Sequence, residues 1–265
     1  MDFCSIASGS SGNCIFVGSE KSALLIDTGI SKKRIVDGLH SIDRKPEELG
    51  GILITHEHSD HIKGLGVMSR KYHIPIYATQ GTIEAILHSS GIGAVEPELF
   101  HAIEPEQKFM IDDLEVEPFS ISHDAADPVA YRVNHGEKAV GVVTDLGYYD
   151  EYVVSHLKNL DGVLLESNHD IHMLQVGGYP YYLKQRILGK RGHLSNENAG
   201  RLLCEILHDK MKTILLGHLS RENNYEALAY EAVCAEVTLG DNPYKAGDFR
   251  IAVAARDTTS PLFAL

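Results

Sequence analysis

The 265-residue sequence has no tryptophan, only 9 prolines and 4 cysteines, and is short of positive charge, with 24 Lys and Arg against 37 Asp and Glu for a net charge of −13. Each shortage excludes something. The cysteines, Cys4, Cys14, Cys204 and Cys234, are scattered and include no Cys-x-x-Cys pair, which rules against a disulfide frame or a zinc ribbon. A reduced, mostly buried set is expected, and with it a cytoplasmic protein. No apolar run approaches the roughly 18 residues of a membrane span, so no membrane partner is expected. The opening Met1-Asp2-Phe3-Cys4 lacks the basic and apolar regions of a signal peptide. The acidic balance argues against a generally basic nucleic-acid-binding surface, but not against a local positive site built on divalent cations. No linker, low-complexity segment or fixed-period repeat is visible, so residues 1–265 read as one compact domain.

Histidine is abundant instead, at 15 residues. A fold does not need so many imidazoles, whereas a metal site does. Six short apolar runs each stop at a polar or ionisable residue: Ala23–Ile26 at Asp27, Ile52–Thr55 at His56, Phe119–Ser122 at His123, Val140–Thr144 at Asp145, Val163–Leu165 at Glu166, and Thr213–Gly217 at His218. Runs of this length, apolar throughout, read as strands buried on both faces. Functional groups just past strand ends converge on one edge of a sheet. Helical patterns lie between them: Ser31 to Ile42, Asp60 to Tyr72, Thr79 or Thr82 to Ser89, Asp150 to Lys158, Tyr181 to Leu188, Ser195 to His208 and Asn223 to Ala235. Turns at Asp112-Asp113 and at Asn134–Glu137 predict hairpins.

The densest signal is Thr55-His56-Glu57-His58-Ser59-Asp60-His61, directly after a strand. In an extended turn, His56 and His58 point one way while Asp60 and His61 reach another position, so one loop can serve two metals. Imidazole and carboxylate suit Zn²⁺ or Mn²⁺. His123, Asp145 and His218 stand at the remaining strand ends. The expected inventory is His56, His58 and His123 on one ion and Asp60, His61 and His218 on the other. Asp145, with two oxygens, bridges both. Open positions remain for water and substrate, as a catalytic site requires.

This pattern of His-x-His-x-Asp-His, a later His, Asp and His after strands, and Asp27 in Ile26-Asp27-Thr28-Gly29 resembles the metallo-β-lactamase fold from about Phe3 to Ala254. The resemblance implies an α/β four-layer αββα sandwich, two mixed β-sheets flanked by helices, with a dinuclear site at one edge. It also implies two pseudo-equivalent halves, and Ile52–His56 faintly echoes Ile214–His218. In the family the Asp27 position usually hydrogen-bonds within the motif; a plain turn aspartate is the other reading.

Glu166 after a strand and His193 before a helix resemble the nuclease branch, in which that Glu orients that His to protonate the leaving oxygen. A phosphodiester has a poor leaving group, so a proton donor opposite the nucleophile is useful. With Ala7–Cys14, Asn168-His169-Asp170 and Gly192–Asn196, the chain closely resembles the YycJ (WalJ) group of bacterial proteins. That resemblance implies 5′→3′ exonuclease activity on double-stranded DNA and a role in DNA repair. Asp60, His193 and Glu166 are then the catalytic candidates, and nucleic acid the partner. Ser10 and Ser11 in the Gly/Ser turn could offer backbone N–H groups to a phosphate. Asn168, His169, Lys184, Arg186 and Arg191 are further candidate substrate contacts; His169 also reads as an extra ligand or a structural histidine. The basic stretch carries Tyr179, Tyr181 and Tyr182, which suit base stacking, and strongly salt-dependent binding is expected.

Only 21 residues separate His123 from Asp145 and 72 separate Asp145 from His218, which leaves no room for a tRNase Z arm or a β-CASP insertion. Two other classes stay open: a small-molecule hydrolase of thioesters, lactones or cyclic phosphodiesters, and a non-catalytic metal-binding scaffold.

Overall fold

Apolar side chains alternate between two buried faces along the central strands, and this alternation builds two sheets rather than one. The computed structural model of the chain describes residues 1–89 and 91–265. The first half runs β1 (Asp2–Ala7), β2 (Cys14–Gly18), β3 (Ala23–Ile26), α1 (Lys32–Ser41), β4 (Leu49–Leu53), α2 (Ser59–Ile62), α3 (Leu65–Tyr72), β5 (Ile76–Thr79), α4 (Gln80–His88) and β6 (Phe100–Ile103). The second runs β7 (Phe109–Ile111), β8 (Leu114–Ser120), β9 (Val129–His135), β10 (Lys138–Val143), α5 (Glu151–Leu157), β11 (Gly162–Glu166), α6 (Ile171–Val176), α7 (Tyr181–Leu188), α8 (Asn196–Ile206), β12 (Thr213–Gly217), α9 (Glu226–Leu239) and β13 (Arg250–Val253). The last strand, β14 (Phe263–Ala264), returns to pair with β1, so the chain's end is part of the first sheet.

The sheets are seven-stranded, in the orders β14-β1-β2-β3-β4-β5-β6 and β13-β12-β11-β10-β9-β8-β7. Leu24, Ile26, Leu53, Val140, Val142, Leu164 and Leu215 fill the space between them. Leu25, Ile52 and Ile76 face the other way, against α1, α3 and α4. Val143, Val163, Leu165, Ile214 and Leu216 pack under α5, α8 and α9. The result is the expected αββα sandwich.

Counted from β14 and from β7, both sheets show the same succession: three antiparallel pairings, then three parallel ones. This order makes β3 the counterpart of β10 and β4 the counterpart of β11. The sequence echo between Ile52–His56 and Ile214–His218 therefore joins strands that are not counterparts, since β12 corresponds to β5. Similar apolar runs arise wherever a strand is buried on both faces, which is why the echo misleads.

Most helix boundaries follow the capping residues. The Ser31 side chain accepts from the Arg34 N–H, Asp150 caps α5, and Ser195 accepts from the Asn198 N–H at α8. The helix expected from Asp60 to Tyr72 is instead two helices. The Gly64 N–H donates to the Thr28 carbonyl, and the Asp60 carbonyl it would have used accepts from the Asn13 N–H. Helix α9 starts at Glu226, three residues later than its sequence pattern suggests, and α6, capped by Asp170, was not anticipated.

All four cysteines are free; Cys4 and Cys14 are buried, Cys204 and Cys234 half-buried. Burial, with Asp2 adding to it, pushes the Cys4 thiol up to about 12, and burial pushes Cys14 well above its usual range. A raised thiol pKa means less thiolate at a given pH, so at pH 8 only about one Cys4 in ten thousand is ionised. In native protein at pH 8, Ellman's reagent should label at most Cys204 and Cys234, with Cys4 and Cys14 reacting only after denaturation. Rapid labelling of all four thiols would contradict this packing.

Candidate metal centre

Strands β3, β10, β11 and β12 end at the same edge, where Asp27 and His218 directly follow β3 and β12, Glu166 is the last residue of β11, and Asp145 is the second residue past β10. Three of these adopt positive φ: Asp27 at 62°, Asp145 at 58° and His218 at 54°. Non-glycine residues are uncommon there, and Asp, Asn and His are the ones that tolerate it best. The backbone thus turns sharply as each strand stops. Nothing in the apolar runs signals this conformation.

The structure brings all seven expected ligands together. The ligand atoms of His56, His58 and His123 lie within 4.8 Å of one another, as do those of Asp60, His61 and His218. Asp145 stands between the groups: Oδ2 is 3.1 Å from His61 Nε2, and Oδ1 is 3.6 Å from both His123 Nε2 and His218 Nε2. Asp145, Glu166, His193 and His218 form a further group of the same compactness.

The opposite nitrogens are held from behind. His61 Nδ1 is 2.7 Å from Asp27 Oδ2, whose carboxylate also accepts from the Thr55 N–H and hydroxyl. Asp27 is therefore the in-motif hydrogen-bonding residue and not a plain turn aspartate. His123 Nδ1 faces the Gly192 carbonyl at 3.1 Å. His218 Nδ1 and His193 Nδ1 each lie 2.8 Å from Glu166 Oε1. A proton on the rear nitrogen of His61, His123 and His218 leaves the front nitrogen with a lone pair, the state a metal ligand needs.

The donor set fits divalent cations. Buried His56 Nε2 and Asp145 Oδ2 have no hydrogen-bond partner among the described residues. His123 Nε2 and His58 Nδ1 face each other at 3.3 Å, which protein donors alone satisfy only once. The titration behaviour is divided in the same way. Burial and the neighbouring imidazoles push His56 well below its usual range. For His218, burial works downward, but Asp145, Asp60 and Glu166 outweigh it and push it up to about 10. Carboxylates packed this tightly demand positive charge beside them.

Glu166 is fully buried. Burial alone would raise its pKa, but His193 and His218 hold it at about 2. Its Oε2 accepts the Leu146 and Leu194 N–H groups at 2.7 and 3.1 Å. The pairing with His193 was expected; the sharing of Oε1 with His218 was not.

The remaining expected contacts fall elsewhere. The Gly/Ser turn spends its backbone donors internally: Gly9 N–H on Asn13 Oδ1, Ser10 N–H on the Leu219 carbonyl and Gly12 N–H on the Gly9 carbonyl. Those three N–H groups are engaged, whereas the Ser11 N–H has no hydrogen-bond partner among the described residues. Ser10 and Ser11 lie on its exposed side, whereas Ser8 and Asn13 face inward. Ser8 Oγ accepts the His218 N–H at 2.8 Å, and Asn13 Nδ2 lies 3.2 Å from His61 Nε2. Asn168 donates to the His218 carbonyl. His169 is buried beside Ser195 and outside every ligand group, with its Nδ1 unpartnered among the described residues. Burial pushes it down to about 4. Lys184 donates to the Gln175 carbonyl, Arg186 pairs with Asp124, and Arg191 donates to the His123 carbonyl. Tyr181 and Tyr182 stand exposed on α7, a helix without a buried residue.

The Beta-lactamase superfamily domain matches residues 23–218, and the chain belongs to this superfamily. Within it, the chain is 41% identical over 257 residues to Exodeoxyribonuclease WalJ of Streptococcus pneumoniae, covering 97% of this chain and 95% of that protein. It is 39% identical over 233 residues to Exodeoxyribonuclease YycJ of Bacillus anthracis, covering 88% of each. The crystal structure of the metallo-β-lactamase fold protein YhfI from Bacillus subtilis superimposes with a TM-score of 0.68 at 18% identity, covering 98% of both chains. No helix among the described residues is long and apolar enough to cross a membrane.

Gly29 sets the distance between the Asp27 turn and α2. A Cβ added there would lie 1.6 Å from the Asp60 carbonyl oxygen. Gly29→Ala should cost about 1–3 kcal/mol of stability and lower bound metal per chain, read by thermal melting and elemental analysis. Gly247→Ala, where nothing lies within 4 Å of the new methyl, should stay within about 0.5 kcal/mol of wild type. Full metal content in the Gly29 variant would separate this turn from the cluster.

Proposed function

We propose that the protein is a metal-dependent phosphodiesterase that removes nucleotides from DNA, an exodeoxyribonuclease acting 5′→3′ on duplex substrate in the cytoplasm, with a role in DNA repair. The observation that carries this reading is the buried Glu166 carboxylate, which holds His193 and His218 through one oxygen. It places a proton donor beside the metal cluster, where a phosphodiester's leaving oxygen needs one. The near full-length similarity to two proteins named exodeoxyribonucleases supports the choice of DNA.

His56, His58 and His123 would hold one divalent ion, Asp60, His61 and His218 the other, and Asp145 both. The mixed imidazole and carboxylate set suits Zn²⁺ or Mn²⁺. Bound there, such ions neutralise phosphate charge and acidify water. The chain's own residues do the rest. Glu166 accepts the Nδ1 proton of His193, which fixes the ring's orientation. Burial lowers the His193 pKa, and Glu166 with Asp145 more than offsets this, so it stands above the usual histidine value. Its Nε2 proton is then available for the departing oxygen. Asp60, with His218 Nε2 at 3.4 Å and His61 Nε2 at 3.6 Å, keeps the second trio in register.

Two variants separate metal binding from proton donation. Asp145→Ala should lose metal and activity together. His193→Ala should keep its metal while kcat on end-labelled duplex falls about 10²- to 10⁴-fold. Elemental analysis and a nuclease time course read both quantities. Wild-type turnover by His193→Ala would remove that residue from the reaction.

A further inference from the structure

A cavity of about 520 Å³ opens immediately past His218, beside the cluster but outside it. Ser8, Ser220, Arg221, Tyr225, Glu226 and Arg256 are among its walls. Ser8 is the residue whose hydroxyl accepts the His218 N–H, so the cavity and the metal-holding loop share a wall.

Its charge is unusual for this chain. Among the described residues, Arg221 makes no ion pair and its side chain makes no hydrogen bond. Arg256 donates only to neutral oxygens, Ser11 Oγ at 3.0 Å and the Leu219 carbonyl at 2.8 Å. The adjacent carboxylate, Asp257, pairs with Arg34 instead. Burial works most against the Arg256 charge, nearby Asp257 supports it, and Arg221 adds a smaller opposing effect. Two like charges thus face one space in a protein of net charge −13, with Glu226 the only acid on the walls among the described residues. Helix α9 starts on the same wall, and no side chain caps its N-terminus. Its first N–H groups add to the positive field. An anion in the cavity would satisfy both guanidinium groups and the helix end.

We propose that this cavity is a phosphate subsite, in which Arg221, Arg256 and the start of α9 hold a phosphoryl group of the DNA strand next to the bond cleaved at the metal cluster. The inference rests on the nuclease reading and deepens it. The chemistry is shared by a terminal phosphate monoester and an internal phosphodiester, and Arg256, braced by two hydrogen bonds, is already oriented for either.

Arg221→Gln and Arg221→Glu test it, because Arg221 is exposed and braces nothing. Lys210→Gln, in the loop at the opposite end of β12, makes the same charge change as Arg221→Gln and is the control. The probe is metal-loaded enzyme with a 3′-labelled, phosphorothioate-protected duplex carrying a 5′-phosphate or a 5′-hydroxyl, titrated by fluorescence anisotropy across salt concentrations. Arg221→Gln should raise Kd about tenfold and reduce the slope of log K against log salt by about 1, with Arg221→Glu weaker still and the control unmoved. A loss confined to the 5′-phosphate duplex assigns the cavity to the strand's terminus; an equal loss on both assigns it to an internal phosphate. If both Arg221 variants match wild type in affinity and salt slope while wild type digests DNA, the subsite is wrong and the nuclease reading stands. Wild type that neither binds nor digests DNA overturns both.

Discussion

The active edge depends on a carboxylate that water never reaches. Glu166 ends the central strand β11, and a charge so placed survives only if donors surround it. Four do: the rings of His193 and His218 and the N–H groups of Leu146 and Leu194. These donors come from the loop after β10, the approach to α8 and the end of β12. A glutamine could not replace it, because its NH₂ would face donors rather than acceptors. One side chain thus ties together three separately folded segments and fixes the same tautomer on both imidazoles. His193 and His218 cannot be oriented independently.

The paired sheets explain why the ligands are divided as they are. Asp27 and Asp145 follow the counterpart strands β3 and β10, the first by one residue and the second by two, and both adopt positive φ. Asp27 spends its oxygens on Thr55 and His61 and so braces the histidine loop. Asp145 leaves Oδ2 without a donor and directs it at the cluster. A left-handed aspartate past the strand end is a brace in one half and a carboxylate open to the cluster in the other. What differs is the next loop: the first half supplies the Thr55–His61 segment, and the second supplies Glu166 with His193.

Much of this was legible in the sequence because strands buried on both faces leave long apolar runs, and a run's end marks the sheet edge. The six runs and all seven clustered side chains follow from that pattern, and the caps at Ser31, Asp150 and Ser195 from the residues before each helix; of the two candidates Thr79 and Thr82, the structure uses Thr79. The left-handed turns at Asp27, Asp145 and His218 did not, since Asp and His occupy ordinary turns as readily. Neither did the inward roles of Ser8 and Asn13, because spacing in a Gly/Ser turn does not say which hydroxyl or amide faces in. The split of α2 from α3 depended on a competing acceptor, Thr28, more than thirty residues upstream. Arg221 and Arg256 carry no motif; the parallel pairing of β13 with β12 brings the segments that follow these two strands to one cavity.

Charge balance resolves the apparent conflict between an acidic protein and a polyanionic substrate. Asp27, Asp60, Asp145 and Glu166 meet within the site, and the nearby carboxylates outweigh burial to push His61 and His218 above the usual histidine range. Two divalent ions would balance those four carboxylates and relieve that demand. The floor would then be near neutral rather than negative, and its remaining attraction for phosphate would come from the rim. On that rim, Arg186 is spent on Asp124 while Arg221 is free of acids among the described residues. The overall charge of −13 therefore resists adventitious polyanion binding across the surface and restricts productive approach to the edge where metal and unpaired guanidinium coincide.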